Sequence, residues 1–126
     1  MQHLQNSSEL YYGNTLSLTQ VWGNDGRLAS KRLYKTSGGT NRSLLIYAFD
    51  NDDNITGITD GVDATKSVTF AYDAMGRLSQ SVAQTGSIRR EDYLFDLNGN
   101  RTSVEQRTNA GDTLPVSTST YARDRL

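Results

Sequence analysis

The chain has 126 residues, 35% of them hydrophobic and 21% charged, with a formal net charge of −1. That is the length of one domain, its apolar share is low for a compact globule, and it offers no basic field to nucleic acid or an anionic membrane. Cysteine is absent, which excludes disulfides, thiolate nucleophiles and thiolate metal sites.

The opening, MQHLQNSSEL, has neither the basic nor the apolar stretch of a signal peptide, and residues 1–10 are expected to form a flexible N-terminal segment. No apolar run approaches the roughly 20 residues of a membrane-spanning helix, so membrane insertion is not expected. The first strand candidate is NTLSLTQVW (14–22), with Leu16, Leu18 and Trp22 on one face. It runs into Trp22-Gly23-Asn24-Asp25-Gly26-Arg27-Leu28. A polar turn, SGGTN (37–41), leads to RSLLIYAFD (42–50), where Leu45, Tyr47 and Phe49 share a face ahead of Phe49-Asp50-Asn51-Asp52-Asp53-Asn54-Ile55. After a turn at DGVDA (60–64), KSVTFAYD (66–73) sets Val68, Phe70 and Tyr72 on one face and Ser67, Thr69 and Ala71 on the other. Tyr72-Asp73-Ala74-Met75-Gly76-Arg77-Leu78 follows. QTGS (84–87) precedes Phe95-Asp96-Leu97-Asn98-Gly99-Asn100-Arg101, and NAGD (109–112) comes after it. In the last strand candidate, DTLPVSTSTYA (112–122), Pro115 has no amide for a ladder and marks a bulge or an edge. Tyr121 opens a shortened fifth copy, Tyr121-Ala122-Arg123-Asp124-Arg125-Leu126.

Alternation with period two, rich in β-branched and aromatic residues and punctuated by Gly, Asn, Asp and Ser, specifies strands and turns. The aromatic anchors Trp22, Phe49, Tyr72, Phe95 and Tyr121 stand 27, 23, 23 and 26 residues apart. One motif per near-constant period is a repeat. The expected fold is all-β: antiparallel β-hairpin repeats, two strands and two turns per period, in a single region covering 1–126. Strands with one apolar and one wet face suit an antiparallel sheet that has water on at least one side. The open edges of such a sheet invite self-association.

The order of residues within the motif follows from turn chemistry. Asp first and Gly fourth suit a type I turn, and the Asp carboxylate can bond the amide two residues on. Gly76 then takes the left-handed conformation that closes a three-residue loop with a bulge. Gly26 and Gly99 occupy the same place, and in the second copy it falls to Asp53, one of the few other residue types that tolerate positive φ. Asp50, Asp73 and Asp96 are the turn-forming aspartates, and Arg27 and Arg77 follow the glycine.

The Tyr-Asp-x-x-Gly-Arg-Leu unit at 72–78, repeated at this spacing, resembles the YD-repeat, or RHS, family, and the likeness runs from about Tyr12 to Leu126. The resemblance implies a section of a curved β-sheet shell that encloses a C-terminal effector, often a toxin, within a larger bacterial protein that is secreted or displayed at the cell surface. In that family the repeats are scaffold, and the chemistry belongs to the enclosed domain. The partners it implies are the rest of the shell and its cargo. The family's cores usually close with an Asp-Pro-x-Gly segment. Here Pro115 is the only proline and Leu114 precedes it, so neither that segment nor the effector after it is expected in this sequence.

Other chemistry is weakly supported. The acidic run Asp50–Asn54 fails the EF-hand pattern, with Ile55 at the sixth place and Gly61 at the twelfth. Glu91, Asp92 and Glu105 sit beside Arg89, Arg90 and Arg107, so cross-strand ion pairing explains them more simply than acid–base catalysis. His3 is the only histidine, and SGGT (37–40) lacks the lysine of a phosphate loop. No catalytic, cofactor or metal residue is assigned. The competing reading is a cell-surface carbohydrate- or protein-binding module using Tyr47, Phe49, Phe70, Tyr72, Tyr93 and Phe95.

Overall fold

A computed structural model describes residues 6–13 and 15–121. Among them are ten β-strands, a single 3-10 turn and no α-helix, so the chain is all-β. It divides into two units after Ser67. In the first, β1 (Asn6–Tyr12), β2 (Leu16–Trp22), β3 (Leu28–Lys35), β4 (Asn41–Phe49) and β5 (Ile55–Asp60) pair antiparallel, each with the next. A 3-10 turn at Ala64–Lys66 follows, capped by the Asp63 carboxylate, which accepts the Thr65 amide. The second unit holds β6 (Val68–Tyr72), β7 (Leu78–Ala83), β8 (Arg90–Phe95), β9 (Arg101–Arg107) and β10 (Ser117–Thr120), again paired in chain order. Every connection between these partners is a hairpin, so register is set locally by the loops.

Two segments differ from the sequence expectation. Residues 6–10 belong to strand β1 and not to a flexible lead: Leu10 pairs with Leu18 and Tyr11 with Ser17. NSSELYY has little alternation of its own, and the free edge of β2 supplies the ladder that orders it. Pro115 lies outside any strand. Pairing resumes where the Val116 amide donates to the Gln106 carbonyl at 2.8 Å, and β10 begins at Ser117. Having no N–H, the proline delays the strand instead of bulging it. Residues 122–126 of the fifth copy, and His3, lie outside the described residues.

Each unit is a single layer. Among the described residues only Val104, Ser17 and Arg107 are buried, and the strand side chains elsewhere are half-buried or exposed. The alternation in β6 is clean: Val68, Phe70 and Tyr72 are half-buried while Thr69 and Ala71 face water. Cross-strand rows fix the faces. In the first unit Leu18, Leu33 and Ser43 form one row, and Gln20, Lys31, Leu45 and Asp60 the next. From these rows Leu18, Leu33, Ser43, Lys31 and Leu45, with Leu16 and Tyr47, line an open apolar trough of about 530 Å³ across β2, β3 and β4.

Candidate functional site: four hairpin loops and the groups between them

The four motifs fold into one loop form. In residues 73–77 the Gly76 amide donates to the Asp73 carbonyl at 3.0 Å, and the Asp73 amide to the Arg77 carbonyl at 2.9 Å. Residues 50–54 repeat this with Asp53→Asp50 at 3.3 Å and Asp50→Asn54 at 3.0 Å, and residues 96–100 with Gly99→Asp96 at 3.2 Å and Asp96→Asn100 at 2.9 Å. Residues 23–27 do the same, with Gly26→Gly23 at 3.0 Å and Gly23→Arg27 at 2.8 Å. The fourth residue is left-handed in all four: Gly26 at φ 79°, Asp53 at 66°, Gly76 at 77° and Gly99 at 83°. This is a type I turn closed by a bulge. The ladder shifts by one residue just before each loop, pairing Trp22 with Leu28, Phe49 with Ile55, Tyr72 with Leu78 and Phe95 with Arg101.

The aspartates staple the loops. Asp73 Oδ1 accepts the amides of Met75 and Arg77, both at 2.9 Å, and Oδ2 accepts Arg77 Nε at 2.7 Å. Asp50 Oδ1 accepts the amides of Asp52 and Asn54, and Asp96 Oδ1 those of Asn98 and Asn100, all at 2.9 Å. Their Oδ2 atoms take the Asn54 and Asn100 side-chain amides at 3.2 Å. The Arg77 amide, opposed by burial and aided by the Arg77 guanidinium, holds the Asp73 carboxyl below the usual aspartate range. The Asn54 amide and side chain lower Asp50 in the same way.

The first loop solves the same problem with another residue. Gly23 stands where the other loops have Asp, and Asp25 takes over: its Oδ1 accepts the Arg27 amide at 3.0 Å. A Cβ built on Gly23 would lie 2.9 Å from Asp25 Oδ1, so the carboxylate occupies the room a side chain there would need. The Arg27 amide is the main cause holding Asp25 low. In the sequence this motif differs from the others by Gly23 in the aspartate place. The signal was present, since an aspartate two residues later, after a glycine, can fold back over the same amide.

Arginine links each loop to the next within a unit. Arg27 lies 5.4 Å over the Phe49 ring, its Nη1 donates to the Asp50 carbonyl at 2.6 Å, and its Nε pairs with Asp25 at 2.9 Å and Asp53 at 3.2 Å. In the second unit Arg77 stacks 4.4 Å over Phe95. The fourth loop has Asn100 in the arginine place, and Arg101 serves instead, 5.2 Å over Tyr121 and 5.5 Å over Tyr93. A cation over a ring contributes roughly 0.5–1 kcal/mol at exposed sites. In the sequence Arg27 and Arg77 stand only as residues after a turn glycine and Phe49 and Phe95 only as repeat anchors, and nothing local announces that they meet.

The carboxylates Asp92 and Glu105 lie within an ion-pair network on β7, β8 and β9. Asp92 accepts Gln80 Nε2 at 2.9 Å, pairs with Arg90 at 2.8 Å and with Arg107, and Arg107 Nη2 reaches Glu105 at 2.8 Å. Burial pushes the Asp92 carboxyl up, but Arg90, Gln80 and Arg107 outweigh it and hold the group low. Glu91 takes a hydrogen bond from Gln106 Nε2 at 3.1 Å. No group of three His, Asp or Glu side chains gathers for a metal among the described residues. Tyr121 is about half exposed and meets Arg101. No family model and no curated protein matches the chain.

Proposed function

We propose that the chain is a structural scaffold, a section of a hairpin-repeat wall of the RHS type that surrounds a C-terminal effector domain and is itself non-catalytic. The observation that carries this reading is the one loop form at four motifs, reached through three different residue solutions, on single-layer strands with no enclosed core among the described residues. Sequence drift around a fixed geometry suits a part whose task is to set strand register. Single layers leave one face for the enclosed partner and one for water.

The size of the native protein in its source cell tests the reading. An immunoblot and an intact-mass measurement should find a species several times the 13.9 kDa of this chain. A species at 13.9 kDa would overturn the wall reading. The six aromatics named for the competing surface-binding reading, Tyr47, Phe49, Phe70, Tyr72, Tyr93 and Phe95, are all half-buried, and the exposed aromatic it could draw on is Tyr11, 63% exposed on β1. Saturable binding to a glycan array, lost on Tyr11→Ala, would establish it instead.

A further inference from the structure

The fourth loop carries a dipeptide with chemistry of its own. Asn98-Gly99 is the only Asn-Gly pair in the sequence, and residues 97–100 are all exposed. The Asn98 backbone amide is tied to Asp96 Oδ1 at 2.9 Å, but its side-chain amide has no hydrogen bond among the described residues. The Gly99 amide donates to the Asp96 carbonyl at 3.2 Å, the long end of the range for such bonds. Glycine has no Cβ, so nothing on residue 99 shields its nitrogen from the Asn98 side chain. Side chains that could react in the same way elsewhere are held. The Asn54 and Asn100 amides bind Asp50 and Asp96 at 3.2 Å, and a bulky residue follows each. Two Asp-Gly pairs also occur, but Asp25 is ion-paired with Arg27 at 2.9 Å, and Asp60 Oδ1 accepts the amides of Val62 and Asp63 at 2.9 Å. An ionised carboxylate is a poor electrophile. The Gly61 nitrogen is further fixed by its bond to the Leu44 carbonyl at 2.8 Å.

We propose that Asn98 is a site of self-modification: in the folded chain it converts to aspartate and isoaspartate, and the isoaspartyl form opens the fourth hairpin. Hydroxide takes the proton of the Gly99 amide when the loop opens. The nitrogen attacks Asn98 Cγ, the new N–Cγ bond closes a five-membered imide, and the Cγ–Nδ2 bond breaks. Nδ2 takes a proton from water and leaves as ammonia. Water then adds to one of the two imide carbonyls. Breaking the N–Cγ bond gives ordinary aspartate. Breaking the bond to the main-chain carbonyl gives isoaspartate, with the chain rerouted through Cγ and longer by one carbon atom. That extra atom falls between Asp96 and Asn100, inside the span closed by the Gly99→Asp96 and Asp96→Asn100 backbone bonds and by the Asp96 carboxylate. A loop whose bonds are all completed within five residues has no slack to absorb it. The aspartyl form keeps the main chain and should keep the loop. This chemistry stands whether or not the wall reading does.

The experiment is incubation of the purified chain in warm, mildly alkaline buffer, with a parallel sample in urea to set the unfolded rate. Tandem mass spectrometry of the tryptic peptide 91–101 distinguishes Asn98 from Asn100 and separates the two products. The expected result is conversion at Asn98 ahead of every other asparagine, faster as pH rises. It should run no more than about tenfold slower than in urea, because an exposed loop opens at little cost. A slowing well beyond that, or another asparagine converting first, would overturn the proposal by showing that the turn locks the Gly99 nitrogen. Hydrogen exchange then tests the structural half. The isoaspartyl fraction should lose protection at the Asp96 and Asn100 amides and keep it at Asp73 and Arg77. Asn98→Asp, which supplies the same charge without the extra atom, should keep both. Equal protection in the isoaspartyl fraction would sink the claim that the hairpin opens, and equal loss in Asn98→Asp would assign the effect to charge.

Discussion

The two units use the same loop and put different chemistry between the loops. In the first, the cross-strand rows of one face carry Leu16, Leu18, Leu33 and Leu45, and Lys31 and Asp60 stand apart in them. In the second, the row of Gln80, Asp92 and Glu105 is tied by Arg90 and Arg107 into a closed network, and Arg107 is only 7% exposed. Strand geometry is therefore set by the loops, and the faces are free to differ. An apolar face is incomplete until something covers it, whereas the carboxylates of this ionic row already have their partners. The first unit should depend on its surroundings more than the second.

The sharpest way to break this comparison is Arg107→Ala. It strips Glu105 of its guanidinium partner and Asp92 of one of two, and should cost about 2–4 kcal/mol, as breaking partly buried ion pairs does. Hydrogen exchange at the Asp92, Tyr93 and Val104 amides reads that loss where it occurs. If protection there is unchanged, the network is ornamental and the second unit is held by its loops alone.

Loop geometry comes next. Gly76→Val places a β-branched residue at φ 77° and should destabilise by roughly 1–3 kcal/mol. The reverse change, Asp53→Gly, relieves the one non-glycine at positive φ among the described residues and should gain about 0.5 kcal/mol. Urea midpoints of the two variants should move in opposite directions, and movement in the same direction would sink the assignment of one loop form to both.

A smaller effect distinguishes the arginine contacts. A double-mutant cycle on Arg77 and Phe95 should give about 0.5–1 kcal/mol of coupling. The Arg27–Phe49 cycle should give less, since its ring contact is 5.4 Å against 4.4 Å. Equal couplings would mean that ring distance does not govern the link.

Acid should act on both units. Asp25, Asp50, Asp73 and Asp92 are all held below the ordinary aspartate value, which is about 3.9. Folded values below unfolded ones mean that this stabilisation is complete above pH ~4 and is lost as pH falls through the folded values. Stability measured in urea should stay flat from neutral pH down to about 4 and decline below it. Asp73→Asn should flatten the decline more than Asp25→Asn, because Asp73 holds two amides and a guanidinium while Asp25 holds one amide and a guanidinium.

Much of this was legible in the sequence because it is local. Period-two alternation places β2, β4 and β6, and the turn-opening aspartates Asp50, Asp73 and Asp96 place three of the loops, since a turn is decided by a few consecutive residues. What was not legible depends on neighbours. Strand β1 forms because β2 is beside it, and nothing within NSSELYY announces it. Arg107 is buried by residues on other strands, and the contact of Arg77 with Phe95 crosses between successive loops. Asp25 lies between these cases: local, but hidden by a substitution that moves the carboxylate two places along the chain.

The one-residue slip at each loop has a consequence for how such a chain can change. Each of the four motif hairpins makes the same slip and completes its own hydrogen bonds within five residues. The offset does not accumulate from loop to loop. A whole hairpin can be duplicated or deleted without shifting the register of any other, so length is a free variable of this design, and the number of copies can drift while the geometry of each stays fixed.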